Sequence, residues 1–245
     1  MIALYIVFIG IIFITPYYLS DVWSNFIISN QDNNILLAVL YPFMISVIVF
    51  WSYGGSWLII DYFQIKIFRK LQSKTNNESI RKCVKVVLFN QLFVLLPTLY
   101  VLNYIWPIEF NTIISPIAVL ITLIKVFISG EILYYYVHRL LHYPSIYKCI
   151  HKVHHEYVTP IGISSLYCHP IEMLIGNTLT LLGPLYWWNA DGFTLYLGIA
   201  LGFFESVADH SGYDTKGDFH DKHHQLFNCN YGSMRLLDFI HGTLI

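Results

Sequence analysis

The chain has 245 residues and a mass of 28.6 kDa; 56% of it is hydrophobic, 17% aromatic and only 12% charged, with a mean hydropathy of +0.55. Soluble domains average about 25% charged residues, so this chain lacks the polar surface to coat a globule of its size, and it is far too apolar to be disordered. A formal net charge of −1 also excludes the basic character of a nucleic-acid binder, which leaves a multi-span membrane protein with one odd feature, 11 histidines against 14 lysines and arginines.

The elements follow in chain order. Residues 2–19 are apolar, with no basic lead and no Ala-x-Ala cleavage site, and predict a first membrane helix rather than a cleaved signal peptide. Stretches 35–60 and 113–137 exceed the roughly 20 residues that span a hydrocarbon core. Stretch 86–106 is interrupted by Asn90, Gln91, Pro97 and Asn103. Two shorter runs, 173–188 and 193–208, flank the turn Asn189-Ala190-Asp191-Gly192, and fit either a re-entrant hairpin or two full crossings. The expected fold class is all-α: a multi-pass transmembrane bundle with a helical, histidine-bearing cap. The division is N-terminal membrane helices over 1–112 and a site-bearing domain over 113–245. Cys83, Cys149, Cys168 and Cys229 form no CxxC, so neither a disulfide framework nor a thiolate zinc site is suggested.

Orientation follows from the basic residues. The expected loop 61–85 holds Lys66, Arg69, Lys70, Lys74, Arg81, Lys82 and Lys85, whereas 20–34 holds Asp21 and Asp32 and no basic residue. The positive-inside rule puts 61–85 in the cytosol, and counting spans onward puts the segment beginning at His138 on the same face.

Ten of the 11 histidines fall between 138 and 224. They form an HxxxH pair, His138 and His142, and two HxxHH boxes, His151/His154/His155 and His220/His223/His224, with His169 and His210 standing singly between. In a helix, positions i, i+3 and i+4 share a face, so each box projects its imidazoles together. One HxxHH arises by chance about 0.02 times in a chain of this histidine content, so two copies beside an HxxxH are no accident. Imidazole suits iron, zinc and copper, and because a tetrahedral zinc takes four ligands at most, eight or more imidazoles imply two metals. Redox-active iron at a membrane surface points to O2 activation near a C–H bond of a lipid. No GxGxxG occurs, so electrons must come from a separate protein.

The segments HRLLHYPSIYKCIHKVHHEYVTPIG (138–162), YCHPIE (167–172), ADHSGYD (208–214) and HDKHHQLFNCNYGS (220–233) resemble the fatty acid hydroxylase/sterol desaturase superfamily of membrane di-iron enzymes, most closely its C-4 methylsterol monooxygenase branch, over roughly 130–243. The resemblance implies two iron ions, O2, and electrons from NAD(P)H delivered by cytochrome b5 or its reductase. It also implies a sterol or other lipid substrate and an endoplasmic-reticulum membrane with the boxes facing the cytosol. Its metal ligands would be His138, His142, His151, His154, His155, His220, His223 and His224, with His210 as a ninth. His169 is open between ligand and structural roles. A sterol C-5 desaturase or a fatty-acid hydroxylase uses the same boxes, and a non-catalytic membrane metal-binding protein is the rival from another class. The tail Leu237-Asp238-Phe239-Ile240-His241-Gly242-Thr243 departs from the family's, lacking its Trp and Arg, and His241 takes the place of an aromatic residue.

Glu131, seven residues before His138, is placed to orient a ligand imidazole or to serve helix packing, and Glu156, Glu172, Asp209 and Asp221, beside the boxes, carry the same two readings. Tyr134, Tyr135, Tyr136, Trp187 and Trp188 are expected in interfacial belts. Gly54-Gly55 suits close helix packing.

Overall fold

A computed structural model describes residue 10 and residues 18–66, 70–71, 80–215 and 218–245. The helix expected over 2–19 lies almost wholly outside the described residues. Among the described residues the chain is helical, and its only β pairing is an isolated bridge between Lys70 and Tyr213.

Among the described residues, three helices are long and apolar enough to cross a bilayer: α1 (Leu36–Tyr62), α2 (Ile80–Ile105) and α3 (Pro116–Leu141). They match three of the expected spans. α2 begins earlier than expected, so Arg81, Lys82 and Lys85 stand on its first turns instead of in a loop. Residues 18–30, of which 20–30 were expected in a loop, are helical as well; Val22, Trp23, Phe26 and Ile27 recur there at helical spacing.

The interruptions that weakened the 86–106 pattern have a local solution. Pro97 offers no N–H to the preceding turn, and the turn before it, Gln91–Leu95, widens into π-helix, the Leu96 N–H reaching back to Gln91 O. α1 opens the same way, with a π-turn at Leu36–Leu40 just before Pro42. The helix continues through both prolines, and the polar side chains find partners: Trp51 Nε1 donates to Gln91 Oε1 at 2.9 Å.

Beyond α3 the chain turns through α4 (Pro144–Cys149) and two short 3-10 segments, His151–Glu156 and Gly162–Leu166. A helical hairpin follows: α5 over 170–187, which contains a π-turn at Met173–Thr178, and α6 (Gly192–Asp209). Asn189 in the left-handed region and Asp191, whose side chain accepts from Thr194 N at 2.8 Å, make the joint between them. Neither is among the helices that qualify as membrane spans. α7 (Phe219–Leu226) and α8 (Arg235–His241) close the fold.

α1 packs along α6, and α3 along α5. The Gly162–Leu166 segment is wedged among α1, α2 and α6, with Ile163 so close to Gly54 that a Cβ at that glycine would stand 2.8 Å from Ile163 Cγ2. The close packing expected of Gly54-Gly55 is therefore made by Gly54 within the chain, while Gly55 faces open space. Phe50, Trp57, Leu95, Leu99, Ile163, Leu166, Leu182, Leu195 and Phe203 form the core.

Buried Asn90 binds this wedge to the membrane helices, its Nδ2 donating to Leu166 O at 3.0 Å and Cys168 O at 2.9 Å. Replacing it with leucine leaves both carbonyls without this donor, at a cost of about 2–4 kcal/mol. The Asn90→Leu protein in detergent is expected to melt several degrees lower by scanning fluorimetry; an unchanged melting temperature would show that the carbonyls find other partners.

Candidate metal centre

Four elements converge at the end of α3. His138 lies on its last turn, and His142, four residues on, caps it before Tyr143-Pro144 stops the helix. His151, His154 and His155 come from the first 3-10 segment, His210 caps the C-terminus of α6, and His220, His223 and His224 sit on α7. All are buried except the half-buried His142. Their nitrogens fall into two groups, His138/His142/His151/His155/His223 and His154/His210/His220/His224, the atoms within each lying inside 4.8 Å of one another.

Which nitrogen points inward is decided by what holds the other. His138 Nδ1 lies 2.6 Å from Tyr231 O, His154 Nδ1 3.2 Å from Tyr167 O, His210 Nδ1 2.8 Å from Ser206 O, and His223 Nδ1 2.7 Å from Cys229 O. A carbonyl only accepts, so each of these Nδ1 atoms carries the proton and each Nε2 of a neutral ring presents a lone pair. His151 Nδ1 is held by the Glu172 carboxylate at 2.8 Å. The inward Nε2 atoms then stand against one another. His154 and His210 approach to 3.1 Å, with both protons committed to carbonyls on their far sides. In the other group, Nε2 of His155, whose Nδ1 has no partner to fix its tautomer, lies 3.1 Å from that of His151, 3.2 Å from that of His223 and 3.3 Å from that of His142, while Nε2 of His138 and His151, both rings held at Nδ1, stand 3.2 Å apart. A neutral pair of this kind sets lone pair against lone pair, which is repulsive, while a cation about 2.1 Å from each of two nitrogens at a right angle would set them about 3 Å apart. His224 adds a buried ring with no hydrogen-bond partner on either nitrogen, a loss of roughly 1–3 kcal/mol for each polar group unless something else engages it. The donor set fits two cations.

The boxes do not act as their helical spacing suggested. Each HxxHH is divided: His154 parts from His151 and His155, and His223 from His220 and His224. Consecutive residues on a helix point about 100° apart, so His154/His155 and His223/His224 face different centres. The His151/His154/His155 box, moreover, is 3-10 rather than α. The histidines expected to hold two metals form two adjoining groups, with the His155 and His224 rings 4.8 Å apart. His169 joins neither group. Its Nδ1 accepts from Ile171 N at 3.2 Å and caps α5, a structural use. His241 also lies elsewhere, stacked on Tyr135 and bonded to Tyr136 Oη at 3.0 Å.

Of the carboxylates beside the boxes, Glu172 reaches a histidine directly. Glu156 pairs with Lys82 and Tyr167, and Asp221 accepts from Gln225. Glu131 reaches no imidazole; it accepts from Ser233 and Met234 on another loop. Tyr135 is fully buried, unlike a belt residue, while Tyr136 and Trp187 are exposed. The carbonyls of Tyr167, Ser206, Cys229 and Tyr231 had no sequence signal, because any residue type supplies one.

Residues 123–243 match the family model described as fatty acid hydroxylase. Relatives align over most of the chain. Fatty acid hydroxylase domain-containing protein 2 of Macaca fascicularis is 30% identical, over 93% of this chain and 73% of its own. A putative methylsterol monooxygenase of Dictyostelium discoideum is 35% identical, over 76% of each. C-4 methylsterol oxidase of Schizosaccharomyces pombe is 30% identical, over 82% of this chain and 75% of its own. The chain belongs to the fatty acid hydroxylase family. No solved structure matches it. All nine grouped histidines lie within the stretch matched to the fatty acid hydroxylase model.

Burial, and then the neighbouring imidazoles, push the histidines down from their usual range: His154 to about 4, and His151, His220, His223 and His224 well below it. Unfolded histidines titrate near 6.5, so below that pH the unfolded chain binds protons that the folded metal-free chain refuses. The stability they contribute is complete above about pH 6.5 and is lost as the pH falls toward 4, His154 alone accounting for on the order of 3 kcal/mol. The metal-free protein, held in chelator, is expected to show a melting temperature that drops steadily from pH 7 to pH 4.5. A flat profile would contradict the neutral, desolvated cluster.

Proposed function

We propose that the chain is an integral-membrane di-iron oxidase that hydroxylates a lipid C–H bond with O2, its substrate the C-4 methyl group of a sterol. The observation that carries the reading is the opposed lone pairs: nine imidazoles, five of them oriented from outside by carbonyls and a carboxylate, converge on two points that suit cations. His138, His142, His151, His155 and His223 would hold one iron, and His154, His210, His220 and His224 the other.

When bound, an iron pair supplies the redox chemistry that lets O2 attack an unactivated C–H bond. The protein's own side chains keep the ligands neutral by burial, fix their tautomers through the Nδ1 partners, and in Glu172 make one ligand more basic. Each hydroxyl inserted consumes one O2, two electrons and two protons and releases water. The electrons are assigned to NAD(P)H, delivered by cytochrome b5 or its reductase.

The centre lies at the end of α3, whose Ile121, Ile124, Phe127, Ile128 and Ile132 are exposed and apolar. This apolar face would lie in the bilayer from which a lipid substrate would come. The basic residues at 66–85 favour a cytosolic centre, in the endoplasmic-reticulum membrane where sterols are made, with 1–112 as anchor and 113–245 as the oxidase domain. Relatives named methylsterol monooxygenase and C-4 methylsterol oxidase support the sterol.

Expressed in a yeast lacking its own methylsterol oxidase, the wild type should restore growth and clear 4,4-dimethylsterols, and His154→Ala should do neither. With cytochrome b5, its reductase and NADH, sterol-dependent O2 uptake should fall at least 100-fold in that variant. Stable expression with accumulating dimethylsterols would reject the sterol assignment, and lipid profiling of the same cells would reveal C-5 desaturation or acyl hydroxylation in its place. A wild type that binds metal yet takes up no O2 would make it a metal-binding protein only.

A further inference from the structure

Besides Glu172, which holds His151, and Asp221, which accepts from Gln225, two carboxylates are buried among the described residues, Glu131 on α3 and Asp238 on α8. Both are committed to the backbone of one loop. Asp238 Oδ1 accepts from Tyr231 N at 2.8 Å and from the Thr243 hydroxyl at 2.6 Å, and its Oδ2 accepts from Gly232 N at 2.8 Å. Glu131 Oε2 accepts from Ser233 N at 3.1 Å and Ser233 Oγ at 2.6 Å, and its Oε1 from Met234 N at 3.1 Å. Four consecutive N–H groups are thus gripped by two acids. The fit is close: a Cβ on Gly232 would stand 2.5 Å from Glu131 Oε1 and 3.1 Å from Asp238 Oδ2.

The same loop supplies the Cys229 and Tyr231 carbonyls that hold Nδ1 of His223 and His138. Both histidines belong to the five-membered group. In the other group, the Nδ1 atoms of His154 and His210 are held by Tyr167 and Ser206, outside the loop.

We propose that Asp238 and Glu131 are positioning residues for one of the two metal sites: by fixing the 229–234 loop they orient His138 and His223, and so govern metal affinity at the five-histidine site while leaving the four-histidine site intact. This rests on the metal-ligand reading above. The tail motif at 237–243, divergent from the family's, acquires a role, with Asp238 and Thr243 completing the loop that orients α3's first ligand.

The test is metal content and affinity of the purified full-length protein, by plasma mass spectrometry and competition with a chelator. Asp238→Asn sets an amide N–H against the loop's N–H groups. It should weaken one site 10- to 100-fold, as loss of a partner behind a metal ligand does, so that about one of two irons survives dialysis. Added to His138→Ala it should cost no further metal, since the two act on one site. Thr243→Val, which removes a single donor, keeps the test available should Asp238→Asn not fold, and should weaken the same site by a smaller factor. Two metals held at wild-type affinity in the variants, or both lost together from a folded variant, would overturn the proposal. A wild type that binds no metal would overturn the metal reading itself, and this proposal with it.

Discussion

Two neutral imidazoles whose N–H groups are spent on backbone carbonyls have only lone pairs left to turn toward each other. The chain places His154 and His210 in this relation at 3.1 Å, inside a buried pocket where water cannot intervene freely. In water each would find a proton donor; here burial disfavours protonation, and the carbonyls fix the tautomer. The arrangement persists because everything around it is packed: α3, α6, α7 and the 3-10 segment each bring a histidine by its backbone, and none can withdraw without unpacking. A cation between the nitrogens turns the repulsion into coordination, and binding energy becomes folding energy.

The membrane part of the fold serves this centre through its polar residues. Asn90 and Gln91 sit at the π-turn forced by Pro97, where an uninterrupted apolar helix would have been the simpler way to cross a bilayer. Asn90 grips Leu166 O and Cys168 O, the carbonyls on either side of Tyr167, whose own carbonyl holds His154 Nδ1. The chain of contacts runs from a membrane helix, through a wedged 3-10 turn, to the tautomer of a histidine. Gly54 belongs to the same path, since any side chain there would displace Ile163 and the turn it anchors.

Much of this was legible in the sequence. Hydropathy located α1, α2 and α3, because a span needs a long apolar run whatever its neighbours do. Histidine spacing named eight of the nine grouped residues, because two HxxHH boxes have little other use, and the family resemblance added His210. The division of the groups was not legible. Treating each box as one helical face assumed that its imidazoles share a target, yet His154/His155 and His223/His224 are neighbours that point apart. His169 was open between ligand and structural roles, and the Ile171 N–H beside it makes it a helix cap. Glu131 carried the correct signal, a carboxylate on the face of His138, but it acts through a loop a hundred residues away. At the basic start of α2 and in the helix at 18–30, charged and polar residues mask the helical periodicity.

That pairing of adjacent histidines also fixes how the two centres relate. Residues joined by one peptide bond cannot move independently, so the gap between the groups is set twice by covalent geometry, once at 154/155 and again at 223/224. Side-chain packing need not hold the spacing; it has only to aim the rings. The Nδ1 partners are accordingly found on the periphery, one for each of five rings, and come from separate segments: Tyr167, Glu172, Ser206, Cys229 and Tyr231. Distance is thereby made rigid while orientation stays adjustable ring by ring, which lets a change at the edge of the fold, in the loop or in the tail, tune one centre without disturbing the spacing of the pair.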